Sequence, residues 1–306
     1  MPRVTLGCGN FGGVGSAPEW FGRGLGEEAA FAVMDAAWEL GLTHFDTADA
    51  YGGGRSETTI GRWMRARGTR PMITTKAFNP MDEGADHGLA RDRVRRQLQG
   101  SLERLGVDRV DLFLAHDHDP DVAARDLAAT FAELQRDGLA TATGVSNYDA
   151  AQLREALDAG PLACVQNSFS LLDRADDAAL LDECATAGVG YVAFSPLAGG
   201  WLTGKYRRGE PFPSGSRMTQ RPEPYEPYRA DAVFDALDRL ERRAREHDVS
   251  IAALALRWLL ADDRITAIVV GPARPEHLEP VREALAGELD GSERAEIAGW
   301  FAARPR

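Results

Sequence analysis

Two histidines and two aspartates follow directly on an apolar run in the segment LFLAHDHDP. They are His116, Asp117, His118 and Asp119. A His-x-His pair with carboxylates beside it offers the ligand types that transition metals use in proteins. The same residues could instead handle protons, or they could form a polar loop after a strand. A choice among these three readings needs the other polar residues of the chain.

Three further residues with useful chemistry stand at or just beyond the ends of apolar runs. Asp46 closes THFD, Tyr51 follows in the next loop, and Lys76 closes ITTK. A nearby ammonium group lowers the pKa of a phenol from its ordinary value of about 10, and a carboxylate holds that ammonium group in place. The phenol could then protonate the oxygen of a substrate carbonyl while the carbonyl carbon receives a hydride, and His116 could hydrogen-bond to that oxygen.

A metal site would need more ligands from the other strand ends. Those ends carry Ser146, Asn147, Gln166 and Asn167, which are uncharged and poor ligands. We therefore favour proton transfer over metal binding and expect no metal. Asp117 and His118 then either line the rim of the substrate pocket or only terminate their strand.

The elements that must position these residues alternate regularly along the chain. Apolar runs predict strands at 4–7, 43–46, 72–76, 110–115, 140–145, 163–166, 190–194 and 265–270. Helical spacing predicts helices at 27–41, 57–66, 90–105, 122–137, 149–159, 176–187, 231–247, 251–261 and 275–286. Eight strand–helix units without a linker indicate an α/β protein, a single (β/α)8 TIM barrel forming one domain over 1–306. An open doubly wound sheet is the alternative.

The segment 196–228 follows the seventh strand and is rich in Gly, Pro, Tyr and Arg. A long loop with little periodicity is typical of a lid or binding loop, and on a barrel it would lie at the mouth that carries active sites. Trp20, Phe21 and Trp201 lie on loops after strands 1 and 7. They either form apolar walls of the substrate pocket or only pack within their loops.

The two ends of the sequence indicate how the floor of the barrel is covered. A last helix is predicted at about 292–303, and the first strand begins almost at once. We therefore expect a minimal cover for the floor, or one supplied by the C-terminal helix.

Composition excludes several classes of partner. The chain has 306 residues and a formal net charge of −12, which disfavours binding to nucleic acid and to anionic membranes. No apolar run reaches the roughly 18 residues needed to span a bilayer, and the N-terminus lacks a signal-peptide pattern. Three cysteines, an odd number in apolar segments, favour buried thiols. We expect a cytoplasmic protein.

Seven motifs, taken in order, resemble the aldo-keto reductases, a family of NAD(P)-dependent barrel oxidoreductases. They are FDTADAYGGGRSE, ITTKAF, DLFLAH, GVSN, VQNSFSLLDR, FSPLAGGWLTGKY and VSIAALALRWLL, within residues 4–290. The resemblance implies that Tyr51 is the general acid, that Lys76 and Asp46 tune it, and that His116 orients the substrate carbonyl. It implies an aldehyde, ketone or sugar carbonyl as small-molecule substrate, or the reverse alcohol oxidation. A monomer is the simplest form.

The resemblance also implies where the cofactor binds. Asp46 would lie near the nicotinamide ribose, and the ring of Phe194 would stack on the nicotinamide. The carboxamide would contact Ser146, Asn147 and Gln166. The pyrophosphate and adenosine parts would be held by Ser195, Leu197, Gly199, Lys205, Gly271, Arg274 and His277.

The segment after strand 8 departs from the family pattern. Ala273, His277 and Val281 stand where many relatives have a basic residue, Gln and Asn. Arg274 can still reach a 2′-phosphate, with help from His277 and from the positive end of the following helix. Glu276 nearby opposes a dianionic group. We expect NADP(H) to be preferred, with NAD(H) as the alternative.

Two other functions are compatible with some of these features. A low-turnover NADPH-binding regulatory subunit would use the same cofactor site and would expose an apolar patch for a partner. A metal-dependent hydrolase built on HDHD is the least favoured reading.

Overall fold

The strands close into a barrel. In the computed structural model of the protein, residues 2–82, 84, 86–174 and 177–301 are described. Eight parallel strands are hydrogen-bonded in sequence order, and β8 returns to β1 with Val4 opposite Ile268. The strands are β1 Val4–Gly7, β2 His44–Asp46, β3 Met72–Ala77, β4 Val110–Ala115, β5 Ala140–Ser146, β6 Cys164–Ser168, β7 Gly190–Phe194 and β8 Ile265–Val270. The predicted (β/α)8 barrel is confirmed, and the open-sheet alternative is wrong.

Helices follow the strands around the outside. Within the described ranges they are α1 Glu27–Glu39, α2 Arg55–Arg67, α3 Arg91–Leu105, α4 Ala124–Arg136, α5 Ala150–Ala159, α6 Asp177–Ala187, α7 Arg217–Gln220, α8 Asp231–Glu246, α9 Ile251–Leu260, α10 Glu279–Leu285 and α11 Gly291–Trp300. Short 3₁₀ helices occur at Pro18–Trp20, Ala198–Thr203, Glu223–Arg229 and Pro275–Leu278.

Three predicted elements differ from the structure. The helix predicted at 275–286 is a 3₁₀ turn followed by α10, because Pro280 stands at the start of α10, where a proline lacks the N–H needed to continue a preceding helix. The loop at 196–228 contains the short helix α7 and two 3₁₀ turns. The predicted last helix ends at Trp300, and its final positions, 302 and 303, lie outside the described residues, as does position 176 of the sixth.

The barrel interior is apolar in its centre and polar near the start of the strands. Leu112, Leu114 and Val192 pack together in its centre. Near the N-terminal ends, Nδ1 of His44 lies 3.2 Å from Oγ1 of Thr5, and Nε2 lies 2.7 Å from Oγ1 of Thr74. Burial lowers the pKa of His44 to about 4. His44 is therefore a neutral, hydrogen-bonded interior histidine, as strand alternation predicts.

The last helix packs on the outer layer of the barrel. Arg243 of α8 forms ion pairs with Glu293 and Glu296 of α11, at 2.8 and 2.9 Å. Arg294 donates through Nε to the carbonyl oxygen of Trp258 in α9, at 3.0 Å. These contacts hold α11 against α8 and α9. No helix in the described ranges is both long enough and apolar enough to cross a bilayer.

Candidate active site

A buried ion pair joins the ends of β2 and β3. Nζ of Lys76 lies 2.6 Å from Oδ1 of Asp46 and also donates to the carbonyl oxygen of Thr47 at 2.9 Å. Gln166, in the middle of β6, donates through Nε2 to the other carboxylate oxygen of Asp46 at 2.8 Å. Lys76 has no exposed surface and Asp46 is 3% exposed. The carboxylate is therefore satisfied on both oxygens, and the ammonium group is fixed in place.

The loop after β2 brings Tyr51 over this ion pair. Gly52, Gly53 and Gly54 have φ values of 60°, 64° and 84°, which residues with a Cβ rarely adopt, so the chain turns sharply into α2. The ring of Tyr51 rests against Gly9 after β1. Nζ of Lys76 lies 5.1 Å from the centre of that ring. The YGGG sequence thus places the phenol beside the ammonium group.

His116 completes the group at the end of β4. Its Nε2 lies 3.5 Å from the hydroxyl oxygen of Tyr51, and the two rings meet edge to face with centroids 5.4 Å apart. The separation of 3.5 Å is at the outer limit of a hydrogen bond. An oxygen atom of a substrate placed beside both groups can therefore come within hydrogen-bond distance of each. The structure brings together all four residues that the sequence predicts to act on a carbonyl.

The charges of these groups follow from their surroundings. Burial lowers the pKa of Lys76, but Asp46 and Tyr51 raise that pKa, and the net shift is upward, so the lysine is charged. Burial and then the charge of Lys76 hold the pKa of His116 well below its ordinary range, so the imidazole is neutral. Burial raises the pKa of Tyr51, and Lys76 opposes that rise. The predicted net lowering of the phenol pKa is therefore wrong for the protein alone, because burial outweighs the lysine.

The residues predicted to contact a nicotinamide lie on the same rim, at the ends of β5, β6 and β7. Ser146 is buried, and Asn147 has a φ of 61° and donates to the carbonyl oxygen of His116 at 2.9 Å. Since Gln166 uses Nε2 on Asp46, its Oε1 is the atom left to accept from a carboxamide. Phe194 is half-buried and packs on the interior cluster.

The segment after β7 contains several residues with left-handed backbone conformation. Ser195 and Ala198 have φ values of 53° and 47°, and Gly199 has 63°. Non-glycine residues in this region carry strain that is typical of ligand-binding segments, and successive turned N–H groups form concavities for anions. Leu197 is half-buried between them. The side chain of Lys205 passes over Gly200, where a Cβ would overlap its end.

Cationic side chains from two loops meet beside this segment. Arg274 and Lys205 both lower the pKa of His277, after the larger effect of burial. Nδ1 of His277 accepts from the backbone N–H of Ala273 at 3.2 Å. Nε of Arg274 lies 3.7 Å from a carboxylate oxygen of Glu276, with both side chains exposed. His277, in the loop that begins at the exposed Gly271 and includes Arg274, is therefore within electrostatic range of Lys205.

The predicted pocket residues divide into two groups. Trp20 and Phe21 are half-buried on the first loop, and Phe21 packs against Gly53, two residues after Tyr51. Asp117 is exposed and accepts from the backbone N–H of His118, whose ring contacts Tyr148 at 5.3 Å. His118 thus packs on Tyr148, which follows β5.

Trp201 does not line the pocket. It has no exposed surface and packs among Tyr206, Phe212, Tyr228 and Phe234. The indole is therefore the centre of an aromatic cluster that stabilises the long loop. Of the two predicted alternatives for Trp201, packing within the loop is the one observed, and the pocket-wall alternative is corrected.

The metal interpretation gains no support from the geometry. Within the part of the chain that is described, no group of three or more His, Cys, Asp and Glu side chains is arranged to hold a metal ion. Cys8, Cys164 and Cys184 are free, buried thiols.

One residue of the site does not follow from the sequence pattern. Nδ2 of Asn79, in the loop after β3, lies 3.3 Å from Nδ1 of His116. The only signal was its place three residues after Lys76, in TKAFN. The path of the loop, which no local pattern specifies, brings it to the histidine.

Comparisons with known proteins place the chain in a family. The Aldo/keto reductase family model matches residues 3–300. The chain is 34% identical over 303 residues to an L-glyceraldehyde 3-phosphate reductase of Escherichia coli (strain K12). The aligned region covers 93% of this chain and 84% of that protein. It is 29% identical to an NADH-specific methylglyoxal reductase of the same organism, over 91% of this chain and 88% of the relative.

The fold also matches a solved structure. A glycerol dehydrogenase from Gluconobacter oxydans superposes with a TM-score of 0.85 at 25% identity, over 100% of this chain and 94% of that one. The family match over nearly the whole chain, together with the identity to the reductase, decides membership. The chain belongs to the aldo-keto reductase family, whose members are oxidoreductases that act on carbonyl and alcohol groups with nicotinamide cofactors.

Proposed function

We propose that the protein is an NAD(P)H-dependent reductase of an aldehyde, ketone or sugar carbonyl, with Tyr51 as general acid. The reverse alcohol oxidation would use the same residues. The observation that carries the proposal is the 3.5 Å separation of the Tyr51 hydroxyl and the His116 imidazole beside the buried ion pair of Lys76 and Asp46. Two donors converge there on one small volume, where a carbonyl oxygen can accept from both.

Each residue then has a distinct role. Tyr51 donates its proton to the carbonyl oxygen, and the charge of Lys76 stabilises the phenolate that remains. Asp46 keeps Lys76 charged and oriented. Neutral His116 donates a hydrogen bond to the same oxygen. When bound, the nicotinamide cofactor supplies the hydride that the carbonyl carbon accepts.

The residues around the mouth fit such a cofactor. The left-handed turns after β7 and the cations of the two last loops support a site for its phosphates. We assign cofactor binding to Asp46, Ser146, Asn147, Gln166, Phe194, Ser195, Leu197, Gly199, Lys205, Gly271, Arg274 and His277. Trp20, Phe21, Asp117 and His118 are assigned to the substrate side.

We propose NADP(H) as the preferred cofactor. Lys205 and Arg274 place two positive charges near His277, which suits a 2′-phosphate. Glu276, 3.7 Å from Arg274, works against it. Because one relative is by its name specific for NADH, the preference needs a direct test, which is the ratio of kcat/KM for NADPH and NADH.

Catalysis is favoured over a regulatory role by the surface. Among the described residues, the large hydrophobic side chains that are exposed are Met72, at the start of β3, and Leu285, at the end of α10. Two separate side chains do not form a docking patch. The free buried thiols support a reducing, cytoplasmic location. We propose a small-molecule substrate and no nucleic-acid or membrane partner, with a monomer as the simplest assembly.

The substitution Tyr51→Phe tests the proposal. A panel of carbonyl substrates, including glyceraldehyde 3-phosphate and methylglyoxal, would first be screened by the loss of reduced-nicotinamide absorbance. Tyr51→Phe should then lower kcat by about 10²- to 10⁴-fold while cofactor binding, followed by fluorescence, is unchanged. Tyr191→Phe, which removes a hydroxyl at the start of β7, serves as the control. Activity of Tyr51→Phe near that of the wild type would exclude the acid assignment. A wild type that binds cofactor but reduces no substrate would favour the regulatory subunit.

A further inference from the structure

We infer that Asn79 is a positioning residue of this site, whose side-chain amide fixes His116 in the tautomer that carries its proton on Nε2. The inference rests on the proposed function, in which His116 donates to the substrate oxygen. Its basis is the contact of 3.3 Å between Nδ2 of Asn79 and Nδ1 of His116, on the side of the ring opposite Tyr51.

Neutral His116 has a single proton for its two ring nitrogens. One ring nitrogen then carries a proton and the other carries a lone pair. An amide N–H directed at Nδ1 of His116 needs the lone pair there, so the proton resides on Nε2. Nε2 is the atom that faces the Tyr51 hydroxyl at 3.5 Å. Asn79 thus determines that His116 meets the substrate oxygen as a donor.

The tautomer matters only because His116 is neutral. Burial and the charge of Lys76 from β3 hold its pKa well below the ordinary range. The other ionisable groups around it are Tyr51 from the β2 loop, Asp46 bound to Lys76, and Asp117 on its own loop. An imidazolium ion would donate from both nitrogens whatever its neighbours. A neutral ring donates toward Tyr51 in one tautomer and not in the other.

Asn79 is held in place by a buried arginine. Arg93 of α3 is 4% exposed and donates through Nη2 to the carbonyl oxygen of Asn79 at 2.9 Å. The same guanidinium group donates to the carbonyl oxygens of Gly88 at 2.9 Å and of Asp86 at 2.8 Å. The loop that carries Asn79 is therefore hydrogen-bonded to α3 at several points. The backbone from which the Asn79 amide projects is thus fixed.

The backbone of His116 is also held by hydrogen bonds. Its backbone N–H donates to the carbonyl oxygen of Ala77 at 3.1 Å, and its own carbonyl oxygen accepts from Asn147 at 2.9 Å. Both partners of the Asn79–His116 contact thus have fixed backbones. A fixed donor beside a fixed ring is what the selection of one tautomer requires.

The decisive variant is Asn79→Asp, which keeps the shape and replaces a donor by an acceptor. A carboxylate facing Nδ1 requires a proton there, so neutral His116 would present a lone pair toward Tyr51. The new carboxylate also raises the pKa of His116. Below that raised pKa the imidazolium ion still donates from Nε2. The kcat of Asn79→Asp should therefore fall as pH rises through a step that the wild type lacks.

A second variant separates the tautomer from the charge. Asn79→Leu removes the donor without adding a carboxylate, so it should lower kcat by about tenfold at every pH and leave the shape of the profile unchanged. Gln99→Glu, on the exposed face of α3, adds a charge away from His116 and should leave activity unchanged. Thermal unfolding of each variant shows whether it is folded.

A direct readout needs no turnover. Nitrogen-15 NMR of the histidine side chains, with His116 assigned by its loss in His116→Gln, reports which nitrogen carries the proton. We expect a protonated Nε2 in the wild type and a protonated Nδ1 in Asn79→Asp. A wild type with the proton on Nδ1, or an Asn79→Asp profile identical to that of the wild type, would overturn the inference. If no carbonyl is reduced, the spectra still test the tautomer, so the two proposals fail separately.

Discussion

Lys76 and Asp46 form an ion pair with 2.6 Å between Nζ and Oδ1, and neither side chain is accessible to solvent beyond a trace. The cost of removing two charges from water is offset only when their geometry is good and their other hydrogen bonds are made. Thr47 and Gln166 supply those bonds. We therefore expect the fold to be destabilised when either residue is left without its partner.

Lys76→Met should lower both activity and stability. It leaves the carboxylate of Asp46 buried without its cation, which costs about 3–5 kcal/mol of unfolding free energy. It also removes the charge that opposes the upward shift of the Tyr51 pKa, so that pKa rises further and kcat falls by at least about 10²-fold. Urea denaturation and steady-state kinetics measure the two effects.

A double-mutant cycle checks the origin of that loss. Asp46→Asn combined with Lys76→Met should be clearly less destabilised than the sum of the single variants, because no unpaired charge remains. Additive losses would show that the ion pair is not the cause.

Gly199→Ala should impair the cofactor loop more than Gly209→Ala. Both glycines lie in the segment after β7 with positive φ, at 63° and 76°, so each substitution strains the backbone by about 1–2 kcal/mol. A Cβ on Gly199 would also overlap the ring of Tyr225, whereas the space around Gly209 is open. We expect a higher KM for cofactor in Gly199→Ala only, and equal KM values in the two variants would contradict the assignment of this loop.

Arg274→Ala should weaken NADPH more than NADH. If the guanidinium group contacts the 2′-phosphate, the KM for NADPH rises by about 10-fold or more and that for NADH hardly changes. Glu276→Gln should act in the opposite direction, since it removes the carboxylate 3.7 Å from Arg274. Arg282→Ala, on the exposed face of α10, is the matched control. A parallel rise for both cofactors would argue against the phosphate contact.

His44→Gln should make folding less sensitive to acid. The folded pKa of His44 is about 4, below the ordinary 6.5, so the unfolded chain takes up the proton first. The contribution of His44 to stability is therefore fully present above about pH 6.5 and is lost as pH falls to about 4. The free energy of unfolding decreases by about 3 kcal/mol through this group. Glutamine does not titrate, and the slope of unfolding free energy against pH should decrease in the variant.

That slope should decrease without vanishing. The pKa values of His116 and His277 are also lowered by burial, so they contribute in the same direction. Denaturation curves at several pH values compare the two proteins. Identical slopes would mean that the pKa of His44 is the same in the folded and unfolded states.

The sequence alone determined the barrel and the four residues at its mouth. Apolar runs of strand length and amphipathic helices are local patterns, and parallel strands in a closed barrel bring their C-terminal ends to one rim. Asp46, Lys76 and His116 each follow such a run, and YGGG provides a turn that only glycine adopts easily. Their meeting could therefore be predicted before any distance was known.

Only the tertiary structure decided what the loops do and how the charges balance. Trp201 lies in the interior of an aromatic cluster because residues far along the long loop fold over it. Asn79 reaches His116 because buried Arg93 ties its loop to α3. Burial, which depends on the whole fold, outweighs Lys76 in setting the pKa of Tyr51. These outcomes rest on contacts between distant segments, which short-range patterns of residue type do not encode.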